Sequence, residues 1–105
     1  MKIKQKTEGE NIIASVSGEI DHHNAKEART ILDEIIEKEK PAIFYLELSE
    51  VNFCDSSGLG LVMGRMKKCA EAGSTLIVTD PSDAVMKILA IAGMEKILKI
   101  ERTVK

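Results

Sequence analysis

A chain of 105 residues, 44% hydrophobic and 30% charged, has the length and apolar content for one domain around one core, spanning residues 1–105, and no length for a second. Its formal net charge of -2 gives no basic field to hold a phosphate backbone, and Phe44, Tyr45 and Phe53 are too few aromatics to stack bases, so no nucleic-acid partner is expected. No apolar run approaches the roughly 20 residues of a bilayer span, and the opening MKIKQKTEGE lacks the apolar stretch of a signal peptide, so no membrane association and a cytoplasmic location are expected.

Residues 2 to 7 alternate Lys2, Lys4 and Lys6 with Ile3, Gln5 and Thr7, a short edge strand whose lysines discourage pairing with other chains. Glu8 to Asn11 reads as a turn. Ile12 to Ser17, apolar and β-branched, predicts the next strand, with Gly18 closing it before a loop over Glu19, Ile20, Asp21, His22, His23 and Asn24. From there Ala25, Ala28, Leu32, Ile35 and Ile36 form a helical stripe, with Lys26, Glu27, Arg29, Asp33, Glu34 and Glu37 on the other side. Asn24 and Glu27 have the spacing of a capping box, and Pro41 ends the helix.

Ala42 to Leu48 predicts the central strand. Its Ile43, Phe44, Tyr45 and Leu46 are apolar on both faces, the pattern of a strand covered from two sides. After Ser49 to Phe53 a second helical stripe runs through Leu59, Val62, Met63, Met66, Cys69 and Ala70 and ends near Gly73. Ser74 to Thr79 reads as a strand. Pro81, Ser82 and Asp83 open a third helix with Val85, Ile88, Leu89 and Ala92 inward and Gly93 as its stop; a last strand or short helix follows around Ile97 to Ile100. Met63, Met66 and Met86 read as core filling, as do Cys54 and Cys69, which have no partners at zinc or disulfide spacing. The alternation predicts an α/β (α+β) domain: a mixed, mostly parallel sheet with an antiparallel amino-terminal edge hairpin, flanked by about four helices.

One segment carries chemistry. Asp55, Ser56, Ser57, Gly58, Leu59 and Gly60 lie between an apolar stretch and the start of a helix, where unpaired N–H groups favour Asp or Ser as a cap and tolerate added negative charge. Asp55 and Ser56 fit a capping role alone. Gly58 and Gly60 in the first turn, however, cost about 1 kcal/mol each relative to Ala, which asks for a close approach by another backbone or a partner protein.

Three stretches extend this reading: SGEIDHHNA from Ser17 to Ala25, YLELSEVNFCDSSGLG from Tyr45 to Gly60, and LVMGRMK from Leu61 to Lys67. Together they resemble the anti-sigma factor antagonists, small STAS-domain proteins of bacterial partner switching, and most closely the sporulation branch. The resemblance implies a switch, not an enzyme. It implies that Ser56 is phosphorylated by an anti-sigma factor that is itself a serine kinase, that the unmodified form binds this kinase and frees a sigma factor, and that a PP2C-type serine phosphatase reverses the modification. It places Asp21 beside the phosphorylation loop and Asp55 before the serine. The partner surface expected is Asp21, His22, His23, Asn24, Asp55, Ser56, Ser57, Gly58, Leu59 and Gly60, on a protein that is a monomer when free and carries no cofactor or metal.

Residue chemistry leaves other readings. Gly58, Gly60 and Gly64 follow a strand, and Asp80 ends the next, loosely like a dinucleotide fingerprint, so a small nucleotide-binding domain is the alternative. Ser56 with Asp21 and His22 or His23 would make a hydrolase, but no G-x-S-x-G elbow is present. Ser57 reads as a cap whose hydroxyl turns back on the helix, although sequence does not separate two adjacent hydroxyls.

Overall fold

Lys2–Glu8 (β1) pairs antiparallel with Asn11–Ile20 (β2), from Lys2 opposite Ser17 to Glu8 opposite Asn11, around Gly9 and Glu10. Gly9 has φ +61, the left-handed backbone that so tight a connection needs. The structure, a computed structural model, describes residues 1–103. Beyond β2 the chain alternates Ala25–Glu39 (α1), Ile43–Cys54 (β3), Ser56–Ala72 (α2), Thr75–Thr79 (β4), Asp83–Ile91 (α3), a 3-10 turn at Met94–Lys96, and Ile100–Glu101 (β5). The strands lie in the order β1-β2-β3-β4-β5, and every pair after the first is parallel.

This is the mixed sheet expected, with the lysine strand at its edge and β3 at its centre. Among the described residues the α-helices are three rather than about four. Gly93, at φ +70, stops α3, and the chain makes only a 3-10 turn before it returns to the sheet as β5.

Burial along β3 alternates. Phe44, Leu46 and Leu48 are buried, and their neighbours in register, Ile12 and Ala14 on β2 and Leu76 and Val78 on β4, share their face. Leu32 and Ile36 of α1, Val62 and Cys69 of α2, and Val85 and Leu89 of α3 close over it as one core. Ile13, Tyr45 and Ile77 line up on the opposite face, and none of them belongs to that core. A central strand covered from two sides is therefore corrected: the helices cover one face. Adjacent strands added in one direction by crossovers of one hand put all their helices on the same side.

Two strands run further than expected. β2 continues through Gly18 to Ile20, and β3 through Ser49–Phe53 to Cys54, because the extensions pair with each other, Gly18 with Val51 and Ile20 with Cys54. Gly18 does not close the strand. It takes φ +97 beside a register shift, where a Cβ would press on the Met1 backbone at 3.1 Å.

The stripe of α2 is also corrected. Its buried positions are Gly58, Leu61, Val62, Arg65 and Cys69, whereas Met63 and Ala70 are exposed and Leu59 and Met66 are half-buried against the core. On α3, Val85 and Leu89 are buried, Ile88 is half-buried, and Ala92 is an exposed cap residue.

Candidate functional site

Because Ile20 and Cys54 pair at the carboxyl ends of adjacent parallel strands, the loops that follow them are neighbours. The Asp55 N–H donates to the Ile20 carbonyl at 3.1 Å and joins the two. Residues far apart in sequence, Asp21 to Asn24 and Asp55 to Gly60, thus form one end of the molecule, the end where open parallel sheets place their sites.

The first loop is held by its own polar groups. Asp21 Oδ1 accepts the N–H groups of His23 at 2.9 Å and Asn24 at 3.1 Å. Asn24 answers by accepting the Asp21 N–H at 3.0 Å and donating its amide to the Glu19 carbonyl at 2.6 Å. The expected capping box of Asn24 with Glu27 does not form, because the Asn24 side chain is committed to this turn and caps nothing. His22 and His23 are exposed, with ring centroids 4.0 Å apart.

The second loop enters α2. Asp55 takes extended backbone as N-cap, and its Oδ1 accepts the Ser57 N–H at 2.8 Å. That N–H, aided by the Ser57 hydroxyl and by the His22 N–H and imidazole, holds the Asp55 carboxyl below the usual carboxylate range against the opposing effect of desolvation. One carboxylate therefore caps the helix through the Ser57 N–H, with His22 of the first loop near enough to favour its charged form. Ser56 is exposed while Ser57 is half-buried, so the structure separates the two hydroxyls that sequence leaves equivalent.

Gly58 is buried against the end of the sheet, Leu59 is half-buried against the core, and Gly60 is exposed. A Cβ on Gly60 or Gly64 would meet nothing within 4 Å. No neighbour inside the chain requires glycine at either position. Met63, 43% exposed, lies on the outward side of α2 with Ser56 and Gly60, and Phe53, 48% exposed, is the next-to-last residue of β3. Sequence reading missed both as surface residues; the i, i+4, i+7 spacing of Ser56, Gly60 and Met63 is the signal that places Met63 outside.

Beside the outward face, a groove of about 280 Å³ separates the start of α1 from that of α2, lined by Ala25, Lys26, Arg29, Ser57, Gly60 and Leu61. The glycines read as a dinucleotide loop lie within α2 itself, so they do not form the loop before a helix that a pyrophosphate requires. Among the described residues no group of three or more His, Cys, Asp or Glu is placed to hold a metal. Nor is any helix of the described residues long and apolar enough to cross a membrane.

Helices on one face of a mixed sheet, with the polar loops gathered at the strand ends, define the class. The STAS domain family matches residues 2–105, and the chain belongs to it. It is 36% identical over 89 residues to the anti-sigma F factor antagonist of Paenibacillus polymyxa, covering 85% of this chain and 76% of that protein. The anti-sigma factor antagonist SpoIIAA in its unphosphorylated form shares the fold with a TM-score of 0.81 at 24% identity, over 99% of this chain and 90% of that one. The Bacillus cell fate determinant SpoIIAA in the phosphorylated form gives 0.75 at 23% identity, over 99% and 93%. The resemblance read from the three stretches is thereby upheld at the level of the family and the fold.

Proposed function

We propose that this chain is an anti-sigma factor antagonist switched at Ser56, acting in the cytoplasm as a monomer when free. Unmodified, it binds a cognate anti-sigma factor that is also a serine kinase and so releases a sigma factor, in a pathway of the sporulation type. Phosphorylated on Ser56, it does not bind, and a PP2C-type phosphatase restores it. It supplies the substrate, not the catalysis.

The observation that carries this reading is the contrast between the adjacent serines: Ser56 stands exposed on the first turn of α2, while Ser57 is half-buried and bound to the capping carboxylate. The outward glycines support it, since Gly60 and Gly64 leave α2 smooth enough for a partner's backbone to come close. A phosphate adds roughly -1.5 to -2 charges beside Asp55 and the Asp21 loop. An interface built for a neutral hydroxyl then meets repulsion and a desolvation cost. The shared fold of a relative described in phosphorylated form favours a switch that works without refolding.

The test is intact-mass analysis with peptide mapping after incubation with the candidate kinase and ATP, alongside Ser56→Ala and Ser57→Ala. One phosphate is expected on the wild type and on Ser57→Ala, and none on Ser56→Ala. Normal phosphorylation of Ser56→Ala, or an unmodified wild type with an active kinase, overturns the assignment.

A further inference from the structure

Gly58 differs from the other glycines of α2. Its φ lies outside the left-handed region, so backbone freedom does not explain it. Size does. A Cβ built on Gly58 would fall inside the Cys54 Sγ, whereas it would stand 3.9 Å from the Cys54 Cβ and 3.6 Å from Ile20 Cγ2, both ordinary contacts. A single sulfur atom, on the last residue of β3, therefore sets how near the first turn of α2 comes to the sheet. The same sulfur lies 3.5 Å from the Asp55 carbonyl, which also accepts the Gly58 N–H at 3.0 Å. Burial, with the Asp55 charge second, raises the Cys54 pKa and keeps it a neutral thiol able to donate to that carbonyl.

We infer that Cys54 is a positioning residue for the switch serine: its Sγ is the seat on which Gly58 rests, and the contact fixes the height of the turn that presents Ser56. The inference deepens the proposed phosphoswitch and rests on it for its kinetic consequence; the steric seat itself does not. A Cβ at 58 must either turn the Cys54 Sγ away from the Asp55 carbonyl or lift the turn and Ser56 with it, and either shift removes the seat. A nucleophile displaced by about 1 Å loses on the order of 100-fold in the rate of a positioned transfer. Removing the sulfur should make room for the Cβ again.

The experiment compares wild type, Gly58→Ala, Cys54→Ala and the double variant by two readouts. In amide NMR spectra of the free protein, Gly58→Ala should shift residues 54–60, and the double variant should bring them back toward the Cys54→Ala spectrum. In phosphorylation by the cognate kinase, Gly58→Ala should lose about tenfold or more in kcat/KM, with the double variant restored to within about threefold of Cys54→Ala. Thermal melts check that Gly58→Ala is folded; if it is not, the seat requires the double variant to fold. Gly58→Ala indistinguishable from wild type in both readouts, or a double variant no better than Gly58→Ala, overturns the inference. A wild type that the active kinase leaves unmodified would overturn the Ser56 reading instead, and the spectra would still decide the seat.

Discussion

Asp55 serves two purposes that substitutions can separate. Its carboxylate caps α2 through the Ser57 N–H, and its charge stands beside the site proposed for the phosphate. Asp55→Ala removes both and is expected to lower the melting temperature by roughly 4–8 °C, whereas Asp55→Asn keeps a cap, loses only the charge and should fall by a smaller amount. The native carboxyl is depressed below its unfolded value, so its stabilising effect is complete above the unfolded pKa and is lost as pH falls through the lower folded one. The urea midpoint of the wild type relative to Asp55→Asn should therefore be constant near neutrality and decline below about pH 4. A difference that does not change with acid would mean that the carboxylate gains nothing from its partners. At the proposed phosphosite, Ser56→Asp should weaken kinase binding by about tenfold or more, read by titration calorimetry, with a melting temperature close to wild type. Unchanged affinity would show that charge there does not oppose the partner.

Packing of α2 on α1 includes an ion pair that the apolar periodicity does not reveal. Arg65 is buried, with Nε 2.8 Å from Asp33 Oδ1 but without hydrogen-bond alignment, and its Nη1 has no partner among the described residues. Desolvation lowers the guanidinium pKa and the Asp33 charge opposes this, while the arginine stays a cation, so the pair is two desolvated charges that offset each other. Arg65→Ala, leaving Asp33 under the helix without its partner, should cost about 3 kcal/mol in urea denaturation. Arg65→Met with Asp33→Leu should recover most of the loss, because an apolar pair of similar volume needs no desolvated charges. A single variant as stable as wild type would show that water reaches the site. The neighbouring pair of Lys68 with Glu37 is more exposed and should matter little. The stripe drawn from apolar letters alone put Met63 inside; Gly58 and Arg65 occupy buried positions that such a pattern does not count.

At the scale of the molecule, one core holds the whole site, since the sheet residues under α1, α2 and α3 form a single cluster. Leu46, fully buried on the central strand, should cost about 2–5 kcal/mol when cut to Ala, measured as a lower urea midpoint for the single transition of the chain. Two separate transitions would contradict the single core. The proposed phosphosite, Ser56, lies outside this cluster. The modified protein should keep its far-UV circular dichroism and unfold in one transition, with loss of kinase binding as the main change.

Much of this was legible in the chain because it depends on local order: the alternating lysines of β1, the apolar runs of the strands, the 3.6-residue stripe of α1, the glycine stops, and an Asp-Ser-Ser-Gly segment at a helix start whose neighbours resemble one family. These patterns determined the class of fold and pointed to Ser56. Only the tertiary structure decided that β2 and β3 extend until Ile20 meets Cys54, which brings the Asp21 and Asp55 loops together. The same contacts decided that Asn24 ties a turn instead of capping α1, that one face of the sheet lacks a helical cover, and that Gly58 is needed for its size. Periodicity records which way a side chain turns along its own element; register, the neighbour across a strand and the room left by one sulfur atom are set by residues distant in sequence.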